Sequence, residues 1–152
     1  MDINSFVIGF KKGKESGGGE FPVKAFFEKT AEELDLKGVT VLVSGAISAQ
    51  PFLTKLSIPD VRLVNSSAIS GCNTLTSLTF PKSLEQLYAS GVMMCSGLTT
   101  VTFEGTPNSI ASQAFMSCAS IRTVNVPWGQ GEVANAPWGA TFATINYNYK
   151  GD

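Results

Sequence analysis

Three cysteines are the residues of this chain whose type and spacing could do chemistry. Cys72, Cys95 and Cys118 follow one another at intervals of 23 positions. A thiolate can act as a nucleophile or a metal ligand, and two thiols can form a disulfide. The chain contains no histidine, which excludes a Cys-His or Ser-His-Asp nucleophile and a His-ligated metal. Three thiols without a fourth ligand argue against zinc, so we predict no metal and no other cofactor.

Two interpretations of the cysteines remain open. They form a column of small buried residues, since free cysteine is among the most buried residue types, or two of them form a disulfide. The odd count and the lack of a secretory signal favour the first interpretation. The carboxylates show no catalytic pattern, because Glu32 and Glu33 are sequence neighbours and no pair suits a glycosidase. We therefore predict no catalytic residue and a protein that is not an enzyme.

The composition restricts the partners further. The chain has 152 residues, a formal net charge of −1 and 15% charged residues, so it lacks the basic patch that nucleic acid or an anionic membrane needs. No apolar run is long enough for a membrane span. The N-terminus does not resemble a signal peptide, because its lysines follow the apolar stretch rather than precede it. We expect synthesis in the cytoplasm without secretion through a signal peptide.

Apolar residues recur with the same period as the cysteines, in steps of 22 or 23 residues. One strand column contains Leu34, Leu56, Leu78, Val101, Val124 and Tyr147. The column two residues later contains Leu36, Ile58, Phe80, Phe103, Val126 and Tyr149. Two columns after the strand contain Leu42, Val64, Leu87, Ile110 and Val133, and then Ile47, Ile69, Val92, Phe115 and Trp138. A period of this size indicates a solenoid, in which stacked units bury each column together.

The repeats resemble BspA-type leucine-rich repeats. The resemblance rests on a Cys, spaced Leu or Ile positions, a Pro after the strand and an Ala-Phe pair, as at Pro81 and Ala114-Phe115. Gln50 and Thr141 replace the Cys at the two ends. The predicted fold is a right-handed solenoid of five to six units with one parallel sheet, over residues 34–149. Each unit is expected to contain a short strand, a turn, a second extended or bent segment and a short helical turn.

The N-terminal region departs from the repeat. The pattern of residues 21–33 predicts an amphipathic helix that caps the first unit. Residues 15–20 are predicted to form a Gly-rich hinge. Residues 1–14 predict a second short helix, whose apolar stripe is a candidate for assembly: Ile3, Phe6, Val7 and Phe10. This helix either folds back on the solenoid, docks on a partner or stays disordered. Residues 150–152 form a tail that blunts only the tip of the last strand.

Short polar residues lie between the buried positions of the strands. They form a candidate recognition face that includes Thr79, Thr100, Thr102, Thr123 and Asn125. Strand propensity and solubility explain the same pattern, since Thr suits a pleated surface. Two interpretations also remain open for Trp128, which either packs on the last unit or stacks on a sugar.

The layout of the whole chain resembles small structural proteins of phages and prophages of Gram-positive gut bacteria. The resemblance rests on the MD-x-x-SF-x-x-GF-x-x-GK start, the Gly hinge, the repeats and the VPW…APWGAT…INYNY end. It implies a virion-associated tail or capsid appendage that forms a homo-oligomer or binds other virion components. The alternative is an adhesin module that binds a carbohydrate or another host-surface molecule.

Overall fold

A computed structural model describes residues 29–151, and these residues form a solenoid of short parallel strands. The strands of the first three turns are β1 (Glu33–Asp35), β2 (Val41–Leu42), β3 (Ile47–Ser48), β4 (Lys55–Ser57), β5 (Leu63–Val64), β6 (Ile69–Ser70), β7 (Ser77–Phe80), β8 (Gln86–Leu87) and β9 (Val92–Met93). The strands of the last turns are β10 (Thr100–Phe103), β11 (Ser109–Ile110), β12 (Thr123–Asn125) and β13 (Thr144–Asn146). The structure contains no helix between residues 29 and 151, and isolated hydrogen-bonded turns stand where helical turns were predicted, as where Cys118 N–H donates to Phe115 O at 3.2 Å.

The strands line up in three rows along the solenoid. The first row contains the pair β1-β4 and the sheet β7-β10-β12-β13, the second contains β2-β5-β8-β11, and the third contains β3-β6-β9. The prediction of a parallel coil with units of about 23 residues is confirmed. The prediction of one sheet is wrong, because the bent segments of each unit also pair with their equivalents in the next unit.

The alternation of side chains explains the first row. Leu34, Leu56 and Leu78 are buried, while the residues on either side of each are exposed. The register places Leu34 opposite Leu56 and Leu78 opposite Val101, so equivalent positions of successive units stack. Because a strand alternates its side chains, every second residue of the row contributes to a continuous core.

The predicted capping helix is wrong where the structure describes it. Lys29 has a φ of 57°, which does not fit a right-handed helix, and Glu33–Asp35 form strand β1. The pairing of β1 with β4 and the burial of Leu34 outweigh the helix propensity of the glutamates. Residues 21–28, the hinge and the segment 1–14 lie outside the described residues.

The last turn departs from the predicted register. Val124 pairs with Ile145 rather than Tyr147, and Asn125 pairs with Asn146 rather than Asn148. The cysteine position is occupied by buried Ala140 and not by Thr141, which is exposed. The reason is a tighter turn, in which Ala140 N–H donates to Pro137 O at 2.9 Å and Ala143 N–H donates to Ala140 O at 3.0 Å. The chain thereby reaches β13 two residues earlier than the repeat predicts.

Aromatic rings fill the core toward the C-terminal end. Phe80 and Phe103 stack with ring centroids 4.9 Å apart, where the first two turns have Leu36 and Ile58. Trp138 is fully buried, and its indole N–H donates to Ala134 O at 2.8 Å. These rings fill the core beneath the last strands that the structure describes.

Candidate functional site

Four polar side chains form a row across the sheet β7-β10-β12-β13. We call Thr79, Thr102, Asn125 and Asn146 the polar row, because the register places them at equivalent positions of successive strands. Asn146 Nδ2 donates to Asn125 Oδ1 at 2.8 Å, and Asn125 Nδ2 donates to Thr102 Oγ1 at 3.2 Å. Asn125 is only 8% exposed, so these bonds satisfy a buried amide. Three members of the polar row, Thr102, Asn125 and Asn146, therefore form an ordered network.

The other predicted face residues lie on the same strands. Thr100 and Thr123 are half-buried and pair with each other, and Thr123 pairs on its other side with Thr144. Lys55 and Ser77 occupy the equivalent positions of the earlier turns and are exposed. The structure thus brings Thr79, Thr102 and Asn125 into one row and Thr100 and Thr123 into another.

Trp128 does not belong to this surface. Its side chain is 3% exposed and packs edge-on against Phe103 at 5.3 Å and Trp138 at 5.9 Å between ring centroids. A stacking platform for a sugar needs an exposed ring face. The packing interpretation of Trp128 therefore agrees with the structure, and the sugar-stacking interpretation does not.

A groove lies at the carboxyl ends of β7 and β10, and we call it the terminal groove. It has a volume of about 590 Å³. Its floor includes Thr79 and Thr102 of the polar row, and one wall is formed by Asn148, Tyr149 and Lys150. This wall is held in place by Asn148 N–H donating to Trp128 O and Tyr149 N–H donating to Val126 O, both at 2.9 Å. The residues after β13 thus form one side of the groove, where the sequence predicted only a tail that blunts the tip of the last strand.

Three charged groups surround the terminal groove. Lys82 follows β7, Glu104 follows β10, and Lys150 belongs to the tail. All three are exposed, and none makes an ion pair with another residue between 29 and 151. The lining therefore combines neutral hydroxyl and amide groups with two ammonium groups and one carboxylate.

The sequence did not identify these residues as a set. Lys82, Glu104, Asn148 and Lys150 fall in no apolar column, and Tyr149 belongs to a column of residues predicted to be buried. The signal that could have found them is their position directly after strand ends of one sheet, since these ends meet at one edge. The course of the tail was not predictable from the repeat, because it breaks the 23-residue period.

A second, smaller cavity of about 380 Å³ lies beside the last strand. Its lining includes Val133, Pro137, Ile145 and Tyr147 and contains no charged side chain. Among the strands of residues 29–151, β13 pairs with β12 alone and forms the edge of the first row. The C-terminal end of the solenoid therefore presents a partly apolar surface.

The three cysteines form the predicted buried column. Their thiols are free, and the side chains are 0 to 3% exposed. Hydrogen bonding with the neighbouring thiol, together with burial, raises the pKa of Cys72 well above its ordinary range and the pKa of Cys95 to about 11. A hydrogen bond from Cys95 lowers the pKa of Cys118. The disulfide interpretation is not supported, and no group of three or more Cys, Asp or Glu side chains within residues 29–151 is placed to hold a metal ion.

The predicted assembly residues Ile3, Phe6, Val7 and Phe10 lie outside the described residues. Between residues 29 and 151, no helix is long and apolar enough to cross a membrane.

The comparison with family models decides the classification. A BspA-type leucine-rich repeat region in six copies matches residues 23–136. The chain belongs to this family. Comparisons with curated proteins and with solved structures found no match. BspA-type leucine-rich repeat proteins are typically interaction scaffolds without enzymatic activity, and the solenoid with its polar row has the form of such a scaffold.

Proposed function

We propose that this BspA-type repeat protein is an interaction module that serves as a structural component of a phage particle. The observation that carries the interaction role is the sheet β7-β10-β12-β13, which offers an ordered, nearly uncharged polar surface across four strands. The apolar columns are buried inside the solenoid, and the exposed polar side chains of this outer face are available to contact another molecule.

The N-terminal segment is the proposed site of assembly. Its stripe of Ile3, Phe6, Val7 and Phe10 requires an apolar partner if it forms a helix, because a short helix is marginal in water. The Gly-rich hinge at residues 15–20 would let the segment bind another copy or another virion protein while the solenoid stays displayed. A homo-oligomer is the expected state.

Removal of residues 1–19 tests the assembly role. We expect the full chain to elute as an oligomer and the shortened chain as a monomer in size-exclusion chromatography with light scattering. The matched control keeps the length and replaces Ile3, Phe6, Val7 and Phe10 with Ser, and it should also be monomeric. An unchanged mass with either variant would show that the segment does not mediate assembly.

The virion role has its own test. Phage particles induced from a host that carries this gene are purified and probed with an antibody against the solenoid. We expect labelling of intact particles and co-purification with tail or capsid proteins, and genes for such proteins beside this one. Absence of the protein from purified particles would contradict the virion role without affecting the interaction role.

The terminal groove favours a second candidate function, an adhesin module that binds a host-surface carbohydrate. Its supporting observation is a groove of about 590 Å³ that combines hydroxyl, amide and charged groups beside an aromatic ring, Tyr149. Such a volume and lining suit a small polar ligand.

A further inference from the structure

We propose that the terminal groove binds an acidic saccharide of one or two sugar units. This inference rests on the second candidate function, since it names the ligand class and the residues that would contact it. It does not depend on the virion role or on the N-terminal segment.

The neutral groups of the groove match a ligand that is rich in hydroxyl groups. Thr79, Asn148 and Tyr149 line the groove, and their hydroxyl and amide groups make no hydrogen bond to other residues between 29 and 151. Thr102 Oγ1 accepts a bond from Asn125, which leaves its proton free to donate. Each sugar hydroxyl donates and accepts, so these groups can bind several of them at once.

The floor of the groove is also ordered before a ligand arrives. Asn146 donates a hydrogen bond to Asn125, and Asn125 donates one to the Thr102 hydroxyl. These two bonds orient the hydroxyl of Thr102. The apolar atoms of the Tyr149 ring and of Pro127, both half-buried, provide a surface for the C–H groups of a sugar. An ordered floor reduces the conformational entropy that binding would cost.

The charged groups select an acidic ligand over a neutral one. Among the described lining residues, Lys82 and Lys150 contribute two positive charges and Glu104 one negative charge, so their charges sum to a net positive charge. None of the three is neutralised by an ion pair with another residue between 29 and 151. A carboxylate on the sugar would form charge-assisted hydrogen bonds with the ammonium groups.

Other ligand classes fit the groove less well. A peptide that extends a sheet needs a free strand edge, whereas β10 is already paired with β7 and β12. A nucleic acid needs a longer basic surface than two lysines provide. The volume of about 590 Å³ suits one or two sugar rings rather than a long chain.

The test is a titration of the full-length, isotope-labelled protein with digalacturonic acid, followed by amide NMR. The neutral disaccharide galactobiose is titrated in parallel at the same concentrations. We expect digalacturonic acid to shift the amide signals of residues 79–82, 102–104 and 148–151, with weaker binding in added salt. Galactobiose should bind at least about tenfold more weakly, because it cannot pair with the lysines.

Substitutions on the rim of the groove show which charged side chains contribute to binding digalacturonic acid. Lys82→Ala and Lys150→Ala should each weaken binding of digalacturonic acid by about tenfold, and Glu104→Gln should leave it equal or stronger. Lys55→Ala is the matched control, since Lys55 is an exposed lysine of the same row of strands but lies outside the groove. Its affinity should equal that of the unchanged protein.

Three outcomes would overturn the inference: no shift with digalacturonic acid, shifts confined to residues outside the groove, or equal binding of both disaccharides.

A cell-binding assay distinguishes failure of the saccharide inference from failure of the adhesin function on which it rests. Cell binding that Lys82→Ala and Lys150→Ala leave unchanged would contradict the groove and keep the adhesin role. Groove shifts without cell binding would support the groove and contradict the adhesin role.

Discussion

At the scale of single residues, the three thiols illustrate how burial changes chemistry. Cys72, Cys95 and Cys118 have the spacing of a repeat, and each Sγ lies 3.5–3.7 Å from a backbone carbonyl oxygen. Hydrogen bonding and burial raise the pKa of Cys72 and Cys95, so these two thiols keep their protons at neutral pH, and only the thiolate is a strong nucleophile. The cysteines are thus packing residues in the folded chain.

The raised thiol pKa values predict a loss of stability at alkaline pH. In the unfolded chain Cys95 loses its proton near its ordinary pKa of 9.0, while in the folded chain it keeps the proton up to about 11. The unfolded state therefore binds fewer protons between these values, and the free energy of unfolding falls as the pH rises through this range. Urea unfolding at pH 7, 9 and 10.5 measures the loss.

The control for this prediction replaces all three cysteines with Ala, the residue that Ala140 already contributes at this position of the last turn. This variant should be less stable at pH 7 but should lose less stability between pH 9 and 10.5. The lowered pKa of Cys118 acts in the opposite direction, so an equal pH dependence in both proteins would show that the column has no net effect.

Gly97 is a residue at which the close approach of two turns determines the side chain. A Cβ at this position would lie 2.2 Å from the carbonyl oxygen of Asn73 in the preceding turn. Gly97→Ala should therefore lower the free energy of unfolding by about 2 kcal/mol, because the two turns must separate. Thermal and urea unfolding measure this loss.

Gly129→Ala is the matched control for Gly97. A Cβ at Gly129 would approach only the Glu132 carboxylate, at 3.3 Å, and that side chain can move. The change in stability should stay within about 0.5 kcal/mol. Equal losses for the two variants would mean that the backbone contact at Asn73 is not the cause.

At the scale of the strands, the position of a residue along its column decides its contribution. Leu78 lies between Leu56 and Val101 and is 2% exposed, whereas Ile145 ends the same column and is half-buried. Cavities cost most where neighbours on both sides lose contacts. Residues at the centre of each column therefore contribute more to the free energy of unfolding than residues at its ends.

This difference predicts unequal losses from the same kind of truncation. Leu78→Ala should lower the free energy of unfolding by about 3 kcal/mol, and Ile145→Ala by about 1 kcal/mol. Leu78→Asp should unfold several turns, since it would bury an unpaired charge. Urea unfolding followed by circular dichroism compares the three variants, and equal losses for the two Ala variants would contradict this account.

At the scale of the whole molecule, each turn contacts only its neighbours. The strongest pairings in the first row join β7, β10 and β12, while β13 has one neighbour. In such a structure stability is close to a sum of units and interfaces, and within residues 29–151 the turn that contains β13 packs on a single neighbouring turn. The C-terminal end should open more readily than the centre.

Hydrogen exchange measures this gradient. We expect the amides of β7 and β10 to exchange most slowly and those of β13 and the tail to exchange fastest, because local opening at the end breaks fewer contacts. Leu78→Ala should reduce protection throughout the solenoid, and Ile145→Ala only in the last turn. Uniform protection from β7 to β13 would instead indicate one fully cooperative unit.

The amino-acid sequence by itself determined the repeat, its period and the residues of the buried columns from Leu34 to Val126. These follow from local alternation and a fixed period, which any stacked arrangement must respect. The sequence also predicted the packing of the three cysteines. It did not reveal the second and third rows of strands, because two-residue strands leave too little alternation to read.

Only the tertiary structure decided the ends and the groove. The end of the predicted capping helix is not helical, since Glu33 joins β1 through its pairing with Lys55 of β4. The tight turn at Ala140 shifted β13 by two residues. The terminal groove joins Lys82, Glu104 and Lys150 from different parts of the chain, and their proximity depends on the course of the tail. The 22- or 23-residue period identifies the buried positions that recur in each unit. The residues that line the groove follow no period, so only the tertiary structure shows that they lie together.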